Sequence, residues 1–165
     1  MQTADHLKTR QATVEDIPIL VRHRRLMFES MGFCDAAIND EMSAIVADQL
    51  TRWIPSGEYR GWIVETPERR IVAGIGLSII QLPGSPRNVR GRYSYLMSLY
   101  VEPEYRRIGI AGRLVEEMIQ WSRSQGLTEV RLHASDQGRP LYEKLGFVQT
   151  NEMRLLLSNR QTSRG

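Results

Sequence analysis

One cysteine in 165 residues removes two classes of protein from consideration: Cys34 can close no intrachain disulfide and cannot build a cysteine zinc site. No His with Asp or Asn frames it as a nucleophile, so it reads as a half-buried small hydrophobe. Long apolar runs are missing as well. No stretch reaches the length a bilayer requires, and Met1 to Arg10 is polar with no apolar h-region, so a cytoplasmic protein without a membrane partner is expected. Nor is there a strong charge of one sign: 22 basic residues are offset by 19 acidic ones, scattered along the chain, for a net +3. A nucleic-acid partner is therefore not expected. What is present is 41% apolar residues, enough for one sizeable core, and nothing marks a second domain. The expected organisation is one domain over residues 1–157 and a polar, disordered tail over 158–165.

Helical and strand-like segments alternate. Thr9 to Ala12 suits a short first strand, after which Thr13 or Asp16 can cap a helix that tolerates Pro18 in its first turn. Ile17, Leu20, Arg24, Met27, Phe28 and Met31 recur at helical spacing until Gly32. A second helix is predicted from about Ala36 to Trp53, stopped by Pro55 to Gly57. Three strands follow, roughly Tyr59 to Glu65, Arg70 to Gln81 and Tyr93 to Val101, and their meander spacing implies antiparallel pairing. Leu114, Val115, Met118, Ile119 and Ser122 then share one helical face, and Gly126 terminates that helix. Thr128 to Ala134 alternates as a strand parallel to the previous one, Arg139 to Leu145 is a short last helix, and Glu152 to Leu157 looks like a closing strand. The fold class is α/β, a mixed sheet of about six or seven strands flanked by helices.

Between the fourth strand and the third long helix lies Val101-Glu-Pro-Glu-Tyr-Arg-Arg-Ile-Gly-Ile-Ala-Gly112. Pro103 stops the pairing, and a short loop feeds a helix whose first amides lack intrahelical partners. Those amides and the helix dipole attract an anion, Arg106 and Arg107 add full charges, and small residues at 109, 111 and 112 let phosphate oxygens approach the backbone. No Lys-Ser or Lys-Thr follows the glycines, so this is not a nucleoside-triphosphate loop, and Gly-x-Gly-x-x-Gly is absent. Nothing in the loop requires a metal, and no metal site is assigned.

Arg106-x-x-Gly109-x-Ala111 is similar to the coenzyme A loop of the GNAT acyltransferase superfamily, whose signature is Gln or Arg, two residues, Gly, one residue, then Gly or Ala. Arg139-Pro-Leu-Tyr-Glu-Lys-Leu-Gly-Phe147, some thirty residues on, resembles the helix and turn after the superfamily's fifth strand. The resemblance is specific over about residues 93–149 and rests on element order elsewhere. It implies an N-acetyltransferase that uses acetyl-CoA as acyl donor and a small-molecule or peptide amine as acceptor, with a homodimer as members commonly form. It implies that pantetheine lies along Leu99, Tyr100 and Val101 and that the diphosphate rests on Arg106, Arg107, Ile108, Gly109, Ile110, Ala111 and Gly112. It also brings Ser135 near the thioester, although the Asn that many members carry in this region is replaced here by Leu132-His133-Ala134-Ser135-Asp136.

Amide formation from a thioester needs an acid for the departing thiolate and a base for the amine. Tyr142 matches the family's tyrosine, and a phenol with a reference pKa near 10 can protonate a thiolate whose thiol titrates near 8.5. Glu29, near the end of the first helix, is the candidate base, acting directly or through water. His133 reads as a strand-end histidine turned from the crevice. The acceptor site is expected from the first two helices, the Leu82 to Arg92 loop and the region after Phe147, with Arg87, Arg90 and Arg92 suiting an acidic group. Gly74 and Gly76 could admit a substrate or merely relieve packing. Two other functions stay open: an acyl-CoA-binding regulatory module without turnover, and an acetylating toxin directed at charged transfer RNA.

Overall fold

The computed structural model describes residues 6–157; the expected tail beyond them lies outside that span. Five strands form one sheet in chain order: β1 (Lys8–Gln11), β2 (Tyr59–Glu65), β3 (Ile71–Gln81), β4 (Arg92–Val101) and β5 (Val130–Leu132). The first four pair antiparallel, as the meander spacing predicts, and β5 joins β4 in parallel. Four helices accompany them: α1 (Ile17–Ser30), α2 (Ala36–Ser56), α3 (Ile110–Ser124) and α4 (Arg139–Lys144).

Strand alternation sorts the core into two layers. Ile63 and Tyr59 of β2 pack with Leu20 of α1 and Leu50 of α2, while Trp62 and Val64 face the other way onto Leu114, Val115 and Met118 of α3. α4 belongs to the second layer, where Tyr142, Leu145 and Phe147 border the core. The sheet is thus covered by α1 and α2 on one side and by α3 and α4 on the other.

Local signals fix the helix ends. Asp16 precedes α1, accepts from the Thr13 amide at 2.8 Å, and is gripped by both terminal nitrogens of Arg10, whose Nε reaches Glu65 at 3.0 Å. This ties β1, β2 and the start of α1 together. Gly126 closes α3 with positive φ while Leu127 donates to the Ser122 carbonyl, and Gly146 closes α4 in the same way. α2 runs through Pro55 to Ser56, slightly past its expected stop.

The closing strand predicted over Glu152 to Leu157 is not formed, so the described sheet has five strands rather than six or seven. Met153, Leu155, Leu156 and Leu157 are all exposed there. Alternation shows that a segment would suit a sheet; pairing also needs a receiving edge, and this one receives none from its own described chain. Cys34 is likewise exposed, in the turn between α1 and α2, rather than half-buried.

Candidate active site

Two irregularities in β4 create the site. Gly76 of β3 pairs with Met97 and Gly74 with Tyr100, so β4 places two residues, Ser98 and Leu99, where β3 has only Ile75. This is a β-bulge, and Ser98 takes the left-handed conformation at φ 57°. Along its other edge β4 pairs with β5 only over Ser94 to Leu96, leaving residues 97–101 without a strand partner. Pairing between the two parallel strands therefore ends at Leu96, beside the bulge, where ligands of open α/β sheets find room. Leu99 and Val101 face the α3 layer, whereas Tyr100 stacks on His23 of α1 at 5.0 Å.

Beyond β4, a 3-10 turn at Pro103–Tyr105 anchors the loop by burying Tyr105. Arg106 donates from Nε to the Val101 carbonyl at 2.8 Å and lies over the Tyr100 ring, so its charge also holds the strand end. Arg107 and Gly109 then both adopt positive φ, 64° and 86°, and α3 begins with no side chain capping its first amides. Ile110 buries its side chain in the core, which fixes the helix start. Ala111 and Gly112 complete the first turn, and Gly112 sits near Leu141 of α4. Left-handed residues just ahead of an uncapped helix N-terminus are a backbone arrangement that can present N–H groups to a phosphate. The residues present therefore fit a coenzyme A diphosphate.

On the opposite side of the bulge, α1, α2 and β4 enclose a cavity of about 70 Å³. Leu20, Leu50 and Trp53 form its apolar wall, and Arg24, Tyr59 and Ser98 its polar one. Arg24 Nη1 donates to Ser98 Oγ at 2.7 Å. Burial pushes the Tyr59 hydroxyl up to about 12, so it stays protonated. Gly74 and Gly76 relieve packing: a Cβ at Gly76 would meet the Tyr59 ring, and one at Gly74 would press on His23.

The structure gathers some of the predicted residues and disperses others. Tyr142 stands edge-on to Phe147 at 5.7 Å in the layer that holds Leu99 and Val101; burial raises its pKa. Glu29 accepts from Arg25 at 2.8 Å, and Arg25 also pairs with Asp40 of α2. Its carboxylate is thus held on the α2 side of α1, whereas Arg24 is the α1 residue bonded to the bulge. Ser135 Oγ accepts from the Gly138 amide at 3.1 Å, and its carbonyl accepts from Arg139, so it builds the turn into α4. His133 is exposed.

Arg87, Arg90 and Arg92 line a larger cavity of about 290 Å³ with Gln125, Gly126 and Thr128. Arg92 is six residues along β4 from Ser98, roughly 20 Å, so these arginines serve the other end of the sheet. Size is the weaker guide here, because the small cavity touches the bulge and the large one does not. Sequence reasoning missed the bulge, His23, Tyr59 and the placement of Arg24. Of these only Arg24 left a visible signal, a charged residue at core-facing helical spacing.

A mixed sheet split beside a bulge, with an open helix N-terminus below it, defines the acyl-CoA N-acyltransferase fold. The model of the acetyltransferase (GNAT) family matches residues 24–147, and the chain belongs to that family. It is 33% identical over 126 residues to human N-acetyltransferase 8, covering 73% of this chain and 50% of that protein. It is 35% identical over 92 residues to glucosamine 6-phosphate N-acetyltransferase of Trypanosoma brucei brucei, covering 54% and 59% respectively. The chain therefore spans about half the length of these curated relatives. Among solved structures, a GCN5-related N-acetyltransferase from Ralstonia eutropha superposes with a TM-score of 0.86 at 31% identity, covering 92% of this chain and 98% of that one. An acetyltransferase from Clostridium acetobutylicum, solved with acetyl-CoA, superposes at 0.82 with 27% identity over 91% and 95% of the two chains. No described helix is long and apolar enough to cross a membrane.

Proposed function

We propose that the protein is a cytoplasmic acyl-CoA-dependent N-acetyltransferase that moves an acetyl group from acetyl-CoA to a primary amine by direct attack, with no acyl-enzyme. The observation that carries this reading is the uncapped start of α3 behind left-handed Arg107 and Gly109, next to the unpaired end of β4. Residues 106–112 hold the diphosphate through backbone amides, and Leu99, Tyr100 and Val101 offer a free strand edge to the pantetheine. The Leu99 amide, at the bulge, supplies one donor for the thioester carbonyl. Tyr142 donates a proton to the departing thiolate, Glu29 accepts one from the amine through water, and Ser135 supports the wall of the crevice. The acceptor is a small-molecule or peptide amine.

A homodimer belongs to the same proposal. β5 is the last strand of the sheet with one edge free, and residues 152–157 carry a strand pattern with exposed Met153, Leu155 and Leu157. Reciprocal exchange between two copies satisfies both surfaces with one symmetric contact.

Thiol release from acetyl-CoA across a panel of amines tests the reading. Acceptor-dependent release is expected, together with a CoA-induced gain of about 2.7 kcal/mol in stability at a hundredfold the dissociation constant. The CoA gain without release from any amine would favour a binding module. Absence of both would end the proposal.

A further inference from the structure

Arg24 carries an inference about the acceptor that rests on the acyl-transfer reading of the β4 bulge. Its side chain lies on the α1 face directed at α2 and β4, beside Leu20, Leu50 and Trp53. A guanidinium removed from water is ordinarily matched by a carboxylate. Neighbouring arginines follow that rule: Arg22 pairs with Glu102, Arg25 with Glu29 and Asp40, and Arg10 with Asp16 and Glu65. Arg24 does not. Among the described residues it forms no ion pair; Nη1 bonds the neutral Ser98 hydroxyl, the Phe28 ring lies 5.0 Å away, and Nε is buried with no partner. Tyr59 and Tyr95, the acidic hydroxyls whose charge would act on it, are both held protonated by burial and provide no anion.

The unmatched cation borders a cavity, and the cavity borders the bulge. We propose that Arg24 binds an anionic group, a carboxylate or a phosphate, carried by the acceptor, so that the substrate is a short amine bearing an acid rather than a neutral amine or a polyamine. The planar fork of arginine suits either anion. Reach limits the spacing: Arg24 is bonded to Ser98, and the Leu99 amide is one residue away, about 3.8 Å between Cα atoms. The anion and the reacting nitrogen must therefore sit only a few bonds apart. The cavity volume of about 70 Å³ suits a group of a few atoms.

The test compares matched acceptors on the full chain: β-alanine, its amide, propylamine and phosphoethanolamine, each with acetyl-CoA. Higher kcat/KM for an acid-bearing amine than for its neutral counterpart, by about tenfold or more, is expected, and the better of β-alanine and phosphoethanolamine identifies the anion. Arg24→Gln should abolish that preference by slowing the acid-bearing amines alone, and Arg24→Lys should retain part of it. An independent arm needs no turnover. Melting in the presence of propionate, phosphate or propionamide, with Trp53 fluorescence as a second readout, should respond to an anion in the parent protein and to none in Arg24→Gln. Arg24→Gln also loses the Ser98 hydrogen bond and the Phe28 contact, so the anion response of each protein is read against its own ligand-free melting temperature. Equal rates for acid and neutral amines, or uniform slowing of all amines by Arg24→Gln, would overturn the inference while leaving acyl transfer intact. Anion binding through Arg24 with no thiol release from any amine would support the anion site and sink the transfer reading instead.

Discussion

Tyr142 is half-buried against Phe147, its hydroxyl makes no hydrogen bond among the described residues, and burial raises the phenol pKa. It stays protonated at neutral pH and can lend that proton to a thiolate. Tyr142→Phe should lower kcat by about a hundredfold while CoA affinity, read by calorimetry, changes less than about twofold; an unchanged rate removes the residue from its role. Glu29→Gln should depress kcat/KM by about a hundredfold if Glu29 is the base. If the residue only pairs with Arg25, the change is confined to roughly 0.5 kcal/mol of stability. His23 makes a different prediction. Burial is the main cause that holds its pKa down, to about 4, with the Glu102 carboxylate 3.6 Å away opposing the shift. The unfolded chain, with a histidine pKa near 6.5, binds more protons than the native one between those values, so stability is full above pH 6.5 and falls as pH drops toward 4, by on the order of 3 kcal/mol. Thermal melts at pH 7 and pH 5 should show about 2 kcal/mol of that loss, and His23→Gln should flatten it. Nothing in the sequence pointed to His23, since a histidine in a helix declares its burial only when Tyr100 and Gly74 close on it. Tyr142 was legible because its neighbours in sequence are also its neighbours in space.

Apart from the closing strand expected over Glu152 to Leu157, which is not formed, helices and strands lie where side-chain periodicity placed them, and the antiparallel meander followed from short connections. What periodicity could not supply was the bulge in β4. An extra residue in one strand is defined only against its partner, and the sequence of β4 alternates without visible interruption. The pairing of α3 with β4 was hidden in the same way. Ser122 shares the apolar stripe of α3, yet it is fully buried, accepts or donates with Ser94 Oγ at 2.7 Å, and bonds the Met118 carbonyl. Ser122→Ala leaves the Ser94 hydroxyl without that partner inside the core, and should cost about 1–3 kcal/mol by denaturant unfolding. The double variant Ser94→Ala with Ser122→Ala should recover much of that loss, because no polar group then remains unmatched. An additive cycle would mean the two hydroxyls do not interact.

At the scale of the molecule, the proposed dimer depends on residues 148–157. A chain ending at Phe147 should be monomeric by light scattering and should retain CoA binding, since residues 99–112 and the α4 residues packed beside them all precede the cut. A full-length chain that is already monomeric, or a truncated one still dimeric, rejects the exchange. The sequence alone determined the class: the order of elements, the Arg106 to Gly112 loop that resembles a coenzyme A loop and the Leu141 to Phe147 turn are local in the chain, so they can be read from adjacent residues. Only the tertiary structure decided the rest, namely that Arg24 rather than Arg87, Arg90 or Arg92 borders the bulge, that Glu29 is turned to Arg25, and that the last leucines find no edge. The physical reason is that burial, register and charge compensation are properties of residues distant in sequence, and a single strand of letters fixes none of them until the sheet brings the partners together.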